Sequence, residues 1–352
     1  MTGQPERNLT QQLDIADRRV SLSRESRESL SPLQALIHPI TKLIEPEDNS
    51  LPPPADGFDL DPKVIRVGLI SPELRHPEDF ALPSTEKQLG DTRYLLHSLN
   101  DMAISDLRAS YKELIPRLGA LRCHFICIPE LCYPKSHSYQ ENLEFEQFLT
   151  AQSVDNGCYI LAGSFHCQAT FRNRVLIVSP NQDEPNLRFH DKLTSAVRVE
   201  ERIVVPSYKH VGIYETAYGR FAVLICLDSY DPMIAAILAN ANERQGHRYH
   251  PIRLVFVPSF NRDKRYALEV VRGLSTLSGC CVILNNGFRD GPKSAVVLGG
   301  NLVEPVDSFE SRGVRAEVFD IAVDDIQDQL NRSTLKQSPE VRFVLGFGGS
   351  YK

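Results

Sequence analysis

One apolar stretch in the second half of the chain limits the possible folds more than any other. Residues 220–232 read Arg-Phe-Ala-Val-Leu-Ile-Cys-Leu-Asp-Ser-Tyr-Asp-Pro. The unbroken apolar run from Phe221 to Leu227 is typical of a strand buried on both faces, as strands of parallel sheets are. Asp231 followed by Pro232 is typical of a helix start. We therefore expect a buried strand followed by a helix, with Cys226 at the junction.

The position of Cys226 suits a nucleophile. Backbone N–H groups of a turn that follows a strand point outward, and the positive end of a helix favours a thiolate over a thiol. A cysteine in an apolar strand more commonly acts as a small hydrophobic side chain. If Cys226 is the nucleophile, electrophiles should label it ahead of the other seven cysteines.

The composition excludes several classes of protein. The chain has 352 residues, 42% hydrophobic and 24% charged, which is enough for one large domain or two small ones. A net charge of −6 gives no electrostatic footprint for nucleic acid. No apolar run approaches membrane-spanning length, and the first residues lack the apolar segment of a signal peptide. We predict a cytoplasmic protein that binds neither nucleic acid nor membrane.

The cysteines do not indicate disulfides or a metal site. The chain has eight of them, and without a leader we expect reduced thiols. Cys123, Cys127 and Cys132 lie close together, with His124 and His137 nearby. Their spacing does not match the paired ligands of zinc sites, and Cys127 lies inside an apolar run. We predict no metal and no cofactor.

The first sixty residues differ from the rest. Residues 18–31 are polar and repetitive, a composition that buries too little surface to order itself. Residues 31–45 are amphipathic and could dock on the rest of the protein or on a partner. Residues 51–57 form a proline-rich linker. We therefore predict a partly disordered extension over residues 1–60, with a possible protein partner bound through residues 1–57.

From residue 61 onward, strand and helix patterns alternate. This alternation predicts an α/β domain over residues 61–325, with helices packed over sheets, and a C-terminal tail over 326–352. Strands are predicted at 63–70, 123–128, 158–163, 175–179, 211–215, 221–226, 253–257, 281–284, 295–298 and 315–321, and helices at 101–121, 141–153, 232–244 and 262–278.

Two charged residues follow predicted strands at positions suited to chemistry. Glu130 comes directly after the apolar segment 125–128 and Pro129, at the end of a strand where open α/β sheets bind their ligands. A carboxylate there is suited to act as a general base. Lys192 follows another short strand-like segment and could act as a fixed cation or donate to a developing oxyanion. Taken singly, each is also typical of a solvated strand end.

Three motifs resemble, in the same chain order, those of the nitrilase superfamily of carbon–nitrogen hydrolases. They are Pro129-Glu130, Lys192 and Cys226-Leu227-Asp228. The resemblance spans about residues 63–322 and implies a four-layer αββα sandwich. The superfamily also implies a homodimer. Further segments that match are Leu161–Ser164, Arg172-Asn173, Val257–Ser259, Asn285–Gly287 and Gly299-Gly300.

The resemblance also implies a mechanism. Glu130 would take the proton from Cys226, whose sulfur attacks the substrate carbon. The oxyanion would be held by the Lys192 ammonium and by the backbone N–H of Leu227. A thioester would form and be hydrolysed by water. The implied activity is cysteine-dependent hydrolysis of a non-peptide carbon–nitrogen bond.

Several assignments stay open at this point. Glu200 resembles the second glutamate of the superfamily, which orders the lysine and the attacking water, and Glu201 is the alternative. Leu227-Asp228, where nitrilases carry Trp-Glu, favours a small-molecule amide or carbamoyl substrate over a nitrile. The five arginines at 172, 174, 188, 198 and 202 indicate either an anionic substrate or solvated strand edges. Two further alternatives are acyl transfer to an acceptor other than water and a nitrilase-fold binding module that keeps the triad as a relic.

Overall fold

The computed structural model describes residues 51–54, 58, 62–81, 85–89, 92–181, 187–196, 201–205, 211–231, 234–235, 237–239 and 251–332. Most of the predicted N-terminal extension, most of the predicted C-terminal tail and much of the helix predicted at 232–244 lie outside these residues, as does Glu200.

The described strands and helices follow the predicted alternation. The strands are β1 (Val64–Pro72), β2 (Thr85–Leu89), β3 (Thr92–Leu96), β4 (Phe125–Ile128), β5 (Tyr159–Cys167), β6 (Arg172–Val178), β7 (Leu187–Asp191), β8 (Gly212–Thr216), β9 (Gly219–Val223), β10 (Ile252–Ser259), β11 (Cys281–Asn286), β12 (Ala295–Leu298), β13 (Asn301–Val303), β14 (Asp307–Ser311) and β15 (Val314–Ala322). The helices are α1 (Asp101–Ala120), α2 (Tyr139–Asn156), α3 (Lys264–Ser278) and α4 (Val323–Arg332), and a 3-10 helix covers Cys226–Tyr230.

The strands form two large sheets that face each other. One has seven strands in the order β14-β15-β1-β4-β5-β6-β7, and the other has six in the order β13-β12-β11-β10-β9-β8. β1, β4 and β5 are parallel in the first sheet, and β9, β10 and β11 are parallel in the second. α1 and α2 pack on the first sheet and α3 on the second. This arrangement confirms the predicted αββα sandwich.

β4 shows why its sequence is apolar at every position. Phe125 and Cys127 belong to the core that includes side chains from both sheets, whereas Ile126 and Ile128 belong to the core shared with α1 and α2. The Phe125 ring lies 5.6 Å from the ring of Phe221 on β9. Because successive side chains of a strand point to opposite faces, a strand buried on both faces needs an unbroken apolar run.

Both ends of the predicted domain extend further than the sequence indicates. Leu51, in the proline-rich segment, is buried and donates its N–H to the Glu215 carbonyl at 2.8 Å. α4 continues past residue 325, and its Ile326 and Leu330 are buried in the core between the sheets. The described fold therefore reaches from residue 51 to Arg332.

A distortion in β5 supports the segment that follows β4. The register between β5 and β6 shifts between Leu161 and Ser164, and Gly163 has a φ of 84°. Ser164 donates its N–H to the Pro129 carbonyl at 3.3 Å and accepts from the Leu131 N–H at 3.0 Å. The distorted part of β5 therefore holds the segment that carries Glu130.

We expect Gly163→Ala to destabilise the protein by about 1–3 kcal/mol, because a side chain at this positive φ is strained. An added Cβ would also lie 2.9 Å from the Pro129 carbonyl oxygen. The matched control is Gly273→Ala in α3, where an added Cβ meets nothing within 4 Å. Gly273→Ala should stabilise the protein by about 0.5–1 kcal/mol, because alanine has a higher helix propensity than glycine. Urea unfolding measures both, and equal midpoints for the two variants would contradict the expectation.

Candidate active site

Glu130 lies at the carboxyl end of β4 with its carboxylate buried and fully engaged. Its Oε1 accepts hydrogen bonds from Lys192 Nζ at 2.6 Å and from Asn173 Nδ2 at 2.9 Å. Its Oε2 accepts from the Phe260 backbone N–H at 3.0 Å. The side chain is 3% exposed. These contacts come from both sheets, so the position of this carboxylate depends on the packing of the whole sandwich.

Lys192 directly follows β7, and its ammonium lies between two carboxylates. Nζ lies 2.6 Å from Glu130 Oε1 and 2.6 Å from Glu201 Oε2. The lysine side chain is 1% exposed. Burial by itself would lower the pKa of Lys192, but the two negative charges outweigh it and raise that pKa well above its ordinary value. The ammonium is therefore a permanent cation at a fixed position.

Glu201 occupies the position beside the lysine that the sequence analysis gave to Glu200, with Glu201 as the alternative. Its Oε2 also accepts from the Ala196 N–H at 3.1 Å, and its Oε1 accepts from Asn173 Nδ2 at 2.8 Å. Burial acts to raise the pKa of Glu201, but the Lys192 charge and the hydrogen bond from a histidine ring lower it overall. Glu201 is therefore ionised at neutral pH.

Two buried residues of this cluster were not identified as site residues from the sequence. Asn173 Nδ2 donates to both glutamates, and the ring of His166 lies 2.8 Å from Glu201 Oε1. Asn173 belongs to the Arg172-Asn173 pair that matched the superfamily, which was a usable signal. His166 carried no signal, because a histidine in a strand shows its partner only after the chain has folded.

Cys226 begins the 3-10 helix, and its φ is 48°. The strand preceding it ends at Val223, and the 3-10 helix lies between this strand and the helix predicted at 232–244, of which residues 234–235 and 237–239 are described and helical. A positive φ at a non-glycine residue is uncommon, and strained backbone of this kind clusters at functional sites. The Ser259 hydroxyl donates to Cys226 Sγ at 3.5 Å.

The thiol of Cys226 holds its proton more strongly than the nearby helix end led us to expect. Burial and the nearby negative charge of Glu130 raise the pKa of Cys226 to about 12. The charge of Lys192 and hydrogen bonds from Ser259 and Phe260 oppose this rise without cancelling it. The sulfur is therefore a neutral thiol at neutral pH, and a base must remove its proton.

Asp228 ties the cysteine segment to the lysine segment. Its Oδ2 accepts from the Ile225 N–H at 3.1 Å and from the Leu193 N–H at 3.1 Å. Leu193 directly follows Lys192, so one carboxyl group links the backbone on both sides of the cluster. Burial raises the pKa of Asp228 to about 7.

The predicted sulfur, carboxylate and ammonium meet in one place. Lys192 binds Glu130 directly, and the consecutive residues Ser259 and Phe260 contact Cys226 and Glu130 respectively. All three predicted groups are buried. Leu227 lies in the 3-10 helix directly after the cysteine, and the role of its N–H stays a prediction.

A cleft of about 480 Å³ adjoins the cluster, but Cys226, Glu130 and Lys192 do not themselves line it. Its wall includes the ring of His166, which contacts Glu201, and Leu131, which follows Glu130. Arg174 also lines it, but Arg174 and Arg172 both bind the Asp191 carboxylate, so these two arginines do not by themselves indicate an anionic substrate. Other residues that line the cleft are His97, Tyr133, Lys135, His137, Phe165 and Phe189.

In the described part of the chain, no three His, Cys, Asp or Glu side chains are grouped to hold a metal ion. Its helices include none long and apolar enough to cross a membrane. All eight cysteines are free thiols, and seven of them are buried.

The carbon–nitrogen hydrolase family model matches residues 101–245, a range that includes Glu130, Lys192 and Cys226. No curated protein sequence matches the chain. Together with the fold, this family match supports the assignment of the chain to the nitrilase superfamily.

Three solved structures show the same fold. An amidase from Nesterenkonia sp. has a TM-score of 0.51 at 14% identity, over 76% of this chain and 95% of that chain. Saccharomyces cerevisiae Nit3, a member of branch 10 of the nitrilase superfamily, has a TM-score of 0.54 at 15% identity, covering 79% and 97%. A CN-hydrolase superfamily protein from Xanthomonas campestris has a TM-score of 0.55 at 16% identity, covering 82% and 98%. At these identities the likeness is one of fold.

The raised pKa of Asp228 predicts a pH dependence of stability. The carboxyl ionises near 3.8 in the unfolded chain and near 7 in the folded protein. The folded protein binds the Asp228 proton more tightly than the unfolded chain does. This stabilisation is complete below the pKa of Asp228 in the unfolded chain, and it is lost as the pH rises through the pKa of Asp228 in the folded protein. The stability of the wild type relative to Asp228→Asn should therefore fall between about pH 4 and pH 7. Urea unfolding across this range measures it, and a constant difference would refute it.

The structure also changes which thiol a bulky reagent should reach first. Cys167 is the one partly exposed cysteine, and hydrogen bonds from Thr170 and Ala169 lower its pKa although burial opposes them. Cys226 is 7% exposed and holds its proton. Dithiobis(nitrobenzoate) should therefore react fastest with Cys167, because thiolates are the reactive form. Cys167→Ser should remove the fast phase and Cys226→Ser should keep it; the opposite pattern would disprove this assignment.

Proposed function

We propose that this protein hydrolyses a non-peptide carbon–nitrogen bond, of amide or carbamoyl type, through a thioester on Cys226. The proposal depends on one observation, the meeting of Cys226, Glu130 and Lys192 in a single buried cluster. A thiol, a carboxylate and a fixed ammonium are the nucleophile, the base and the oxyanion partner that acyl transfer requires.

In the first step, Glu130 takes the proton from Cys226 while the sulfur attacks the carbonyl carbon of the amide. A carbon–sulfur bond forms, and the electron pair of the carbonyl bond moves to oxygen. The Lys192 ammonium and the Leu227 N–H stabilise this oxyanion. Since the pKa of Cys226 is raised to about 12, the proton transfer has to accompany the attack rather than precede it.

In the second step, the oxyanion collapses, the carbon–nitrogen bond breaks and Glu130 returns its proton to the departing nitrogen. The acyl group remains on Cys226 as a thioester. Glu130, again a carboxylate, then takes a proton from water, whose oxygen attacks the thioester carbon. The carbon–sulfur bond breaks, Glu130 returns the proton to the Cys226 sulfur and the acid is released. Glu201 keeps the lysine in place through both steps. Glu200, the first choice from the sequence, lies outside the described residues and is not needed for these steps.

An amide is favoured over a nitrile as the substrate. Leu227-Asp228 after the cysteine supports this choice, as in the sequence analysis. One variant of the Nesterenkonia amidase was solved in complex with butyramide, and another with the acetamide moiety of fluoroacetamide added covalently at its active-site cysteine.

Other aspects stay predictions. Acyl transfer to an acceptor other than water shares the same acyl-enzyme. The cytoplasmic location, the homodimer and a protein partner for residues 1–57 are also proposals, and the alternative of a binding module with a relic triad predicts no covalent adduct at all.

Incubation with a library of small amides, including butyramide and fluoroacetamide, tests the proposal by intact mass spectrometry. We expect an acyl adduct on Cys226 and none in Cys226→Ala. Turnover in that variant should fall by about a thousandfold or more, since nucleophile and base act as one unit. Glu130→Gln should keep the thiol and slow acylation by about 10²–10⁴-fold.

Cys167→Ala is the matched control, because it removes the more exposed thiol and should leave the adduct unchanged. An adduct that disappears in Cys167→Ala but persists in Cys226→Ala would refute the proposal. Turnover that is equal in the wild type and in Cys226→Ala would refute it as well.

A further inference from the structure

His166, on β5, contacts the catalytic cluster but has no part in the steps above. Its Nε2 lies 2.8 Å from Glu201 Oε1, and the two side chains are 1% and 5% exposed. A buried polar contact of this length is a hydrogen bond, and the direction of donation depends on where the ring carries its proton.

The backbone of residue 97 determines that direction. The His97 N–H lies 2.6 Å from His166 Nδ1, with the hydrogen directed at the ring nitrogen, and the His97 carbonyl oxygen lies farther from the same nitrogen, at 3.1 Å. A protonated Nδ1 would set two donors against each other at this distance, so Nδ1 accepts and the ring proton is on Nε2. His166 therefore donates to Glu201, and its neutral tautomer is selected by a main-chain group.

The donors around Glu201 have distinct roles. Lys192 and the Ala196 N–H bind Oε2, whereas His166 and Asn173 bind Oε1. The donors on Oε1 fix the plane of the carboxylate, and this plane determines where Oε2 holds the lysine. Without His166, Oε1 would keep only Asn173, which it shares with Glu130.

The charged and titratable groups that face this contact come from four segments. Lys192 and Glu130 lie on the far side of Glu201, and His97 lies beside His166 with His76 beyond it. Burial, together with the two neighbouring histidines, lowers the pKa of His97 to about 4, so His97 brings no positive charge at neutral pH.

We propose that His166 is a positioning residue: by donating from Nε2 to Glu201, it holds the Lys192 ammonium where the oxyanion develops. This inference rests on the proposed function, in which the lysine stabilises that oxyanion. The ring also forms part of the cleft wall.

The test compares three variants on an amide that the wild type hydrolyses. His166→Leu should lower kcat by about tenfold to a hundredfold with little change in KM, the expected effect of losing one hydrogen bond to a buried charged group. His166→Gln should recover much of this loss, because its amide nitrogen can donate from nearly the same place. His124→Leu is the matched control, since His124 Nδ1 also accepts a backbone N–H, from Arg66 at 2.8 Å, at the opposite end of β4 from Glu130.

The pH profile separates positioning from packing. The hydrogen bond from His166 helps to lower the pKa of Glu201, so His166→Leu should move the acid limb of kcat to higher pH, and His166→Gln should not. Unchanged kcat and an unchanged acid limb in His166→Leu would overturn the inference. Equal losses in both variants would do so too, because they would indicate a packing role. If His166→Leu does not fold, His166→Asn, whose amide is too short to reach Glu201, takes its place.

A measurement on the resting protein, which needs no substrate turnover, separates the failure of this inference from the failure of the proposed function. Nitrogen NMR of the imidazoles in the wild type at about pH 8 should show His166 as the neutral Nε2–H tautomer. The Nδ1–H tautomer would overturn the inference even if amides are hydrolysed. Absence of an acyl adduct on Cys226, with the Nε2–H tautomer present, would instead refute the proposed function and leave the hydrogen bond to Glu201 established.

Discussion

The buried ammonium of Lys192 is the interaction on which the rest of the site depends. A lysine that is 1% exposed is tolerated only when its charge is paired and hydrogen-bonded, and here two carboxylates lie 2.6 Å from it. Two carboxylates and one ammonium leave a net negative charge, which further donors stabilise: Asn173, His166 and the N–H groups of Ala196 and Phe260. These donors lie on strands β5 and β6 and on the loops that follow β7 and β10, so both sheets contribute. The cluster therefore forms only when the sandwich closes.

The same electrostatics define the state of the nucleophile. Burial raises the pKa of Cys226, and the negative charge of nearby Glu130 raises it further, because a thiolate would add a second negative charge beside the carboxylate. The resting protein therefore holds a buried thiol near the Glu130 carboxylate rather than a stored thiolate. In the proposed mechanism, the proton passes to Glu130 only as the carbonyl carbon of a substrate bonds to the sulfur.

Local patterns predicted the elements well where burial alone controls the sequence. The apolar runs of β4, β9 and β10 are strands buried on both faces, and the helical patterns near 101–121 and 262–278 are α1 and α3. Prediction was wrong where a local signal competes with tertiary contacts. The expected preference of Cys226 for a thiolate relied on the nearby helix end, but burial and the charge of Glu130 outweigh it and raise the pKa of the thiol to about 12. Likewise α4 continues beyond residue 325 because Ile326 and Leu330 find a core to enter.

The linear order of residues was sufficient for the class of fold and for choosing Glu130, Lys192 and Cys226 as the residues that gather in one buried cluster, because strand burial and the placement of these residues after apolar segments are local properties. The choice between adjacent glutamates, the two residues that hold them and the protonation of the sulfur were decided only by the tertiary structure. Those features depend on distances between segments far apart in the chain, such as the 2.8 Å between His166 and Glu201. They depend equally on burial, which raises or lowers a pKa only after the two sheets have packed together.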